Sequence, residues 1–530
     1  MTAPEPPALL TPVLLPPVLL TGARLVDGTG TAPREADVLI TGSTITAVEP
    51  PGILPAHGAV EDLTGLTLAP GFIDAHSHAD NAPLLTEDDT TKILQGVTTE
   101  VVGNCGFSLA PRSTAHAGTL GDFLRRLFPP TEFTWSNFQD LFARTDAAGY
   151  VTNHCPLVGH GSLRIAATGT SDRPADDTAL HAMRAALEEG MSAGAFGLSS
   201  GLGYPPAMFA STRELAAVAE VLGGDGLYAT HLRDEGAHLQ DSIDEALRIG
   251  QVAGRTQLSH LKAAGRDNWG AMAAALTRIA RARHTGAEVL QDVYPYTASS
   301  TMLTALLPAD FLGTDPDTLI ARLSGKAGRA ELRAELGGRD DWDDILVATT
   351  AGHQDEGRTL AELAAERATG PVDVLADLLV RERLRVAMIH FSMQDTDLRQ
   401  ALADEHTMIG SDGLPPGNGG KPHPRLHGTF PRVLGRYCRD LGLLSLPEAV
   451  RKMTSLPARA FRIPNRGLVA PGQVADLVAF DSATVRDVGG YRDPVHPPAG
   501  IRRVWLGGRL VVDRGRYLGG RNGRRLTPSH

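Results

Sequence analysis

The stretch GFIDAHSHAD, residues 71–80, decides how the rest of the chain is read. It is a short apolar run that ends in a His-x-His pair, His76 and His78. Residues two apart on an extended strand project to the same side, so both imidazoles can face one point. An isolated pair of this kind either holds a divalent metal or is two edge histidines satisfied by hydrogen bonds. The surrounding chain has to separate the two.

Downstream, strand-like runs alternate with helical segments such as TALHAMRAALEEGMSAG (178–194) and TRELAAVAEVLGG (212–224). The runs end at GFIDAHSH, GVTTEVVGNC, CPLVGHG, AFGLSSG, LYATHLRDE, TQLSHLK, VLQDVYPYT and HTMIGSDG. Eight strands alternating with helices predict an α/β fold, a (β/α)8 TIM-like barrel. RVAMIHFSM (385–393) is a ninth candidate, which leaves the last two or three strands open. The interval from DVYPYT to MIGSDG is longer than one helix needs, so an insertion is expected at about 300–370.

Both chain ends are β-rich and punctuated by glycine, as in VLLTGARLVDGTG near the start and IRRVWLGGRLVVDRGRYL near the end. They predict one small β-sandwich domain built from 19–65 and 467–518, enclosing a barrel over 66–466. Residues 1–18 read as a flexible lead: no base precedes Arg24, and prolines break the apolar run, so neither a signal peptide nor a membrane span is expected. The basic, glycine-rich residues 519–530 read as a loose, solvated tail.

At 530 residues, with 42% hydrophobic and 21% charged residues, the composition suits a soluble enzyme of one large and one small domain. A net charge of −11 argues against a nucleic-acid partner, which would want a basic face. No apolar run is long enough for a membrane helix, so no membrane partner is expected. Three scattered cysteines, Cys105, Cys155 and Cys438, make no disulfide framework and fit a reducing, cytoplasmic setting.

The C-terminal ends of barrel strands converge on one mouth, where chemistry is done. Here those ends offer His76, His78, Cys105, His160, His231, His260, Tyr294 and Asp412. Singly, each histidine is as well explained as a satisfied interior residue. Four of them, His76, His78, His231 and His260, aimed at one mouth favour a metal, and imidazoles with a soft thiolate suit Zn²⁺. Cys105 is open to four readings: disulfide partner, core filler, nucleophile or metal ligand.

This arrangement resembles the amidohydrolase superfamily, in which a first-strand His-x-His, two later histidines and a last-strand aspartate surround one or two metals. Many binuclear members bridge the metals with a carbamylated lysine on the fourth strand. This chain has no lysine between Lys92 and Lys262, and its fourth-strand segment AFGLSSGLGYPP supplies serines instead. GVTTEVVGNCGFSLAP, GLSSGLGYPP, THLRDEG, SHLK, DVYPYTASST and IGSDG narrow the resemblance to the N-acyl-D-amino-acid deacylase (D-aminoacylase) family, over roughly residues 20–515. The resemblance implies a cysteine ligand: Cys105, His231 and His260 at a tight zinc, with His76 and His78, Cys105 bridging, at a second and weaker site.

It also implies zinc-dependent hydrolysis of N-acyl-D-amino acids to a carboxylate and a free D-amino acid. Asp412 is placed to move the proton, although SDG is equally a turn signal. The product's carboxylate needs a cation, for which Lys262, with Tyr294 adding a hydroxyl, is the expected partner and Arg233 the alternative clamp. Ser299 or Ser300 can add a contact, and the baseless segment ASSTMLTALLP favours neutral or apolar side chains. His353 stands out within the insertion. Two rivals remain: another amidohydrolase activity, such as a cyclic amidase or dipeptidase, and a non-catalytic barrel acting as a binding module.

Overall fold

The fourth helix of the chain illustrates how the sequence sets the architecture. In Asp177–Ser192 the buried residues Ala179, Met183, Leu187 and Gly190 recur three or four apart, giving one apolar stripe. Asp176 starts the helix by accepting a hydrogen bond from Ala179 N. Gly190 lets the stripe close onto Val158 and Phe138, which a Cβ would overlap. Helices of this kind cover a barrel in the computed structural model, which describes residues 16–56, 58–129, 132–313 and 315–529. Residues 1–15 of the expected N-terminal lead lie outside the described residues.

The barrel strands are Phe72–Asp74, Val97–Val102, Asn153–Pro156 continuing as Val158–Gly159, Leu198–Gly201, Gly226–His231, Gly254–Leu258, Glu288–Val293 and Thr407–Ile409. Neighbours pair in parallel. The ring closes where Ala75 N donates to Ile409 O at 3.2 Å and Ser77 bridges Gly413. Eight strands in this order make the expected (β/α)8 barrel, and its lower interior is filled by Ile73, Val101, Phe196, Ala229 and Met408.

The ninth candidate is not a barrel strand. Val386–His390 lies between Ser299–Met302 and Ile345–Thr350 in a separate three-stranded antiparallel sheet. That sheet, with helices such as Pro316–Ser324 and Pro371–Arg381, has its own apolar core of Leu319, Leu323, Leu332, Leu375 and Leu379. The inserted unit therefore continues past 370, to His390. A β-rich run looks the same whichever sheet it joins, which is why the sequence did not separate them.

Both chain ends share one nine-stranded sheet, in which Thr67–Pro70 pairs with Val18–Leu25 on one side and Leu477–Phe480 on the other. Leu20, Val38, Leu477 and Trp505 are among the residues of its sandwich core. The strand Thr67–Pro70 lies past the boundary expected at 65.

The tail expected to be loose is docked. Gly523 bridges Tyr150 and Arg525 bridges His154 at the start of the third barrel strand. Arg525 pairs with Asp146 at 2.9 Å and stacks on Phe142, and Leu526 is buried among the lower barrel residues. Arg521 donates to Asp88 and to the carbonyls of Pro83 and Leu85. Arg521 and Arg525 thus have partners, and Leu526 supplies apolar area that a solvated tail would leave exposed. Among the described residues, no helix is long and apolar enough to cross a membrane.

Candidate metal centre

Five barrel strands deliver candidate ligand atoms to the mouth. Cys105 Sγ lies 3.3 Å from His76 Nε2, 3.3 Å from His260 Nε2 and 3.9 Å from His231 Nδ1. Three sets of side chains each keep their ligand atoms within 4.8 Å of one another: His76, His78 and Cys105; Cys105, His231 and His260; and His76, His260 and Asp412. All the cysteines are free thiols, so the disulfide reading of Cys105 falls. Cys155 packs inside the barrel, and Cys438 is half-buried against its outer core.

The turn GNCG explains how a thiol reaches this point. Cys105 has φ +53°, held between Gly103 (φ +79°) and Gly106 (φ +76°). A Cβ on Gly103 would come within 2.2 Å of the Leu157 carbonyl oxygen, so only glycine fits there. Ser199, on the fourth strand, accepts from Gly106 N at 3.1 Å and donates to the Gly103 carbonyl. The strand that carries lysine in lysine-bridged relatives here buttresses the cysteine turn. His260 (φ +35°) and Asp412 (φ +48°) are also left-handed, a conformation that non-glycine residues hold only when the surroundings enforce it.

Charge in the cluster is arranged for a cation. Burial pushes the Cys105 thiol up, but the imidazoles of His76 and His260 outweigh it and hold the group well below the usual thiol range. Burial likewise raises Asp412, yet Arg425, His260 and His78 keep its carboxyl well below the usual range, so it is ionised. Asp412 Oδ1 lies 3.2 Å from His78 Nε2 and 3.7 Å from His76 Nε2.

The ring nitrogens facing away from Cys105 have carboxylate partners. Glu235 Oε1 is 3.0 Å from His260 Nδ1, and its Oε2 is 3.6 Å from His231 Nε2. Asp292 does the same for the first strand, 3.5 Å from His76 Nδ1, and accepts from His260 N at 2.9 Å. Carboxylates behind ligating imidazoles fix their orientation and raise their basicity. A buried thiolate among oriented imidazoles fits zinc.

Lys262 is not a free cation. Its Nζ is 2.5 Å from Glu235 Oε1 and 2.8 Å from His260 Nδ1, so its charge is spent on Glu235. Arg233 is spent too, on Glu245 and the carbonyls of Met208 and Ala210, which removes the alternative clamp. A further buried cation near the cluster, not singled out from the sequence, is Arg425. It has no exposed surface, donates to Ser300 O, and stacks 4.5 Å from the Tyr294 ring. Its Nη1 stands 2.9 Å from Asp412 Oδ2 without hydrogen-bond alignment, and its Nε has no hydrogen-bond partner among the described residues. Tyr294 Oη is equally without one.

Other expected residues fall around the rim. His160 is tied to Glu214 at 3.2 Å and stays outside the cluster. Among the described residues, Ser300 Oγ is buried without a hydrogen-bond partner, whereas Ser299 reaches the His390 carbonyl at 3.5 Å. His353 is exposed beside Glu356. Tyr204, from the GYPP segment, packs 4.8 Å from His231 and accepts a hydrogen bond from Thr301 at 2.9 Å. A cleft of about 520 Å³ runs between the loop 413–422, the inserted sheet and the segment 125–128, with Ser300 and Leu426 in its wall. Arg126 and Arg385 on its wall are offset by Glu87 and Asp89, so the cleft has no strong sign.

Comparison with known proteins identifies the family. Residues 59–512 match the model of the Amidohydrolase family. A D-aminoacylase of Alcaligenes xylosoxydans xylosoxydans is 39% identical over 512 residues, covering 96% of this chain and 97% of that protein. An N-acyl-D-aspartate deacylase of the same organism is 38% identical over 518 residues, covering 96% and 95%. An N-acyl-D-glutamate deacylase from Bordetella bronchiseptica, solved with zinc and a phosphonate mimic of the tetrahedral intermediate, superposes with a TM-score of 0.82. It is 35% identical, over 96% of this chain and 99% of that one. The chain therefore belongs to the N-acyl-D-amino-acid deacylase (D-aminoacylase) family, and is a metal-dependent amidohydrolase.

Proposed function

We infer that the chain hydrolyses the amide bond of N-acyl-D-amino acids with neutral or apolar side chains, releasing a carboxylate and a D-amino acid. The observation that carries this reading is the Cys105 thiol set among His76, His231 and His260 with Asp412 beside them. Cys105, His231 and His260 would hold a tight zinc, and His76 and His78 together with Cys105 a second, weaker one. Bound zinc acidifies water and polarises a carbonyl.

Asp412, kept ionised by its cationic neighbours, accepts the proton of the attacking water and returns it to the departing amino group. The Tyr204 hydroxyl takes its hydrogen bond from Thr301, which leaves its own proton for the carbonyl oxygen as charge develops there. Arg425 and Tyr294, each with unspent donors, hold the substrate carboxylate. Phe107, Tyr204 and Met302 pack in the same apolar cluster as Cys105, which supports an uncharged side chain or acyl group against that wall.

The test is hydrolysis of N-acetyl-D-methionine, N-acetyl-L-methionine, N-acetyl-D-aspartate and N-acetyl-D-glutamate, before and after chelation. D-selective, chelator-sensitive turnover with methionine preferred is expected. L-selective or chelator-insensitive turnover overturns the reading, and a preference for either acidic substrate overturns its side-chain part.

A further inference from the structure

Beneath the mouth lies a second cluster of charge that touches neither the ligand atoms nor the cleft. Lys92 is 1% exposed. Its Nζ is 2.9 Å from Asp74 Oδ2, 2.9 Å from Ser77 Oγ and 3.1 Å from Glu100 Oε2. Burying three ionised groups at the junction of the first and second strands is costly unless every one is hydrogen-bonded, and a packed apolar group would serve stability as well. The hydrogen bonds indicate what the cluster is for.

Asp74 is saturated. Its Oδ1 accepts from Ser411 N at 2.7 Å and His76 N at 3.2 Å, and its Oδ2 from Ser411 Oγ at 2.6 Å. Ser411 Oγ in turn accepts from Gly413 N at 3.0 Å, so one side chain brackets the left-handed Asp412 from both neighbours. Asp412 N donates to His76 O at 2.8 Å, and His78 N to Gly413 O at 3.1 Å. Ser77, between the two histidines, donates to Glu100 Oε2 at 2.7 Å. The seam that closes the barrel and the His-x-His segment are thus laced to one ammonium.

We propose that Lys92 is a positioning residue for the reaction: through Asp74 and Ser411 it holds Asp412 in its left-handed turn against His76 and His78. The proposal rests on Asp412 being the proton carrier. Lys92 touches no substrate, so its removal acts on kcat and spares KM. His231 and His260 lie on other strands, and Cys105, although it follows the second strand, sits in a turn braced separately by Ser199, so zinc binding by this set should be spared.

The experiment compares zinc-loaded Lys92→Met, Lys92→Arg and Ser411→Ala with the parent, alone and in an Asp412→Asn background. Lys92→Met is expected to lower kcat about 10- to 100-fold, as loss of an outer partner of a metal site does, with KM and retained zinc unchanged. Lys92→Arg should recover part of the loss. Lys92→Met and Ser411→Ala should be less than additive, and neither should lower the residual kcat of Asp412→Asn, because a residue acting through another has no effect once that one is gone. Unchanged kcat in Lys92→Met, or full additivity with Asp412→Asn, overturns the proposal. If Lys92→Met does not fold, Lys92→Arg and Ser411→Ala decide by the same criteria. Near-normal turnover in Asp412→Asn alone would instead overturn the reading of the reaction.

Discussion

Arg425 Nη1 lies 2.9 Å from Asp412 Oδ2, which joins a guanidinium with no exposed surface to a carboxylate in a left-handed turn. Removing one partner of a buried ion pair leaves the other charge uncompensated, at a cost of about 3–5 kcal/mol. Arg425→Met is expected to lower kcat/KM for N-acetyl-D-methionine by about 10²–10³ and to raise KM, since truncating a buried charge partner of a ligand costs roughly 2–5 kcal/mol. Arg425→Lys keeps the charge but not the planar fork, and should fall between. Steady-state kinetics with KM unchanged in Arg425→Met would remove it from the carboxylate site.

Cys105→Ala deletes the one soft, anionic ligand of the tight set. Zinc retained through dialysis is expected to drop from about one per chain to near zero, with activity lost in parallel, because imidazoles alone hold zinc less tightly than imidazoles with a thiolate. Metal analysis of the dialysed variant decides; full zinc retention would return Cys105 to a packing role.

Glu235 faces the far nitrogens of both His231 and His260. Glu235→Gln should weaken zinc binding about 10- to 100-fold, the usual effect of losing a carboxylate behind a ligating histidine. Competition with a chromophoric chelator measures it. An unchanged constant would mean that Lys262, not the metal site, is what Glu235 serves.

Away from the mouth, Arg164 Nη1 pairs with Glu214 at 2.5 and 2.6 Å, with His160 alongside. Burial raises the Glu214 carboxyl, but His160 and Arg164 outweigh it and bring it from 4.5 down to about 2. A carboxylate depressed on folding adds stability above its unfolded pKa and loses it as pH falls through the folded one. Glu214→Gln is expected to cost about 3 kcal/mol at neutral pH, and the difference from the parent should shrink between pH 4.5 and about pH 2. Urea titrations at pH 7 and pH 3 check it; an equal gap at both would contradict the assignment.

The clustering of the mouth residues was legible because a barrel gathers the ends of its strands, so chemistry-bearing residues recur at one place in each repeat. His76, Cys105, His231, His260 and Asp412 all sit just past or at a strand end, and they meet. Arg425 was not legible: it lies beyond the last strand, after a proline- and glycine-rich stretch with no periodicity to place it. Lys262 sat in the expected place, but sequence spacing does not tell which acid a lysine meets, and Glu235 from the neighbouring strand takes it. The docking of Arg521, Arg525 and Leu526 was hidden for a similar reason. Basic, glycine-rich composition signals solvation only when no acids or carbonyls wait on the folded surface.

Leu526 also sets an order of events during synthesis. It is translated after every barrel strand, the last of which ends at Ile409, yet it completes the packing beneath Ile73, Phe196 and Met408. A nascent chain that has already formed all eight strands still has an open underside of apolar side chains. The N-terminal strands of the sandwich wait as well, since Thr67–Pro70 is an uncovered edge until Leu477–Phe480 emerges. The interval in which both surfaces are bare is when this chain is most exposed to aggregation and most in need of a chaperone.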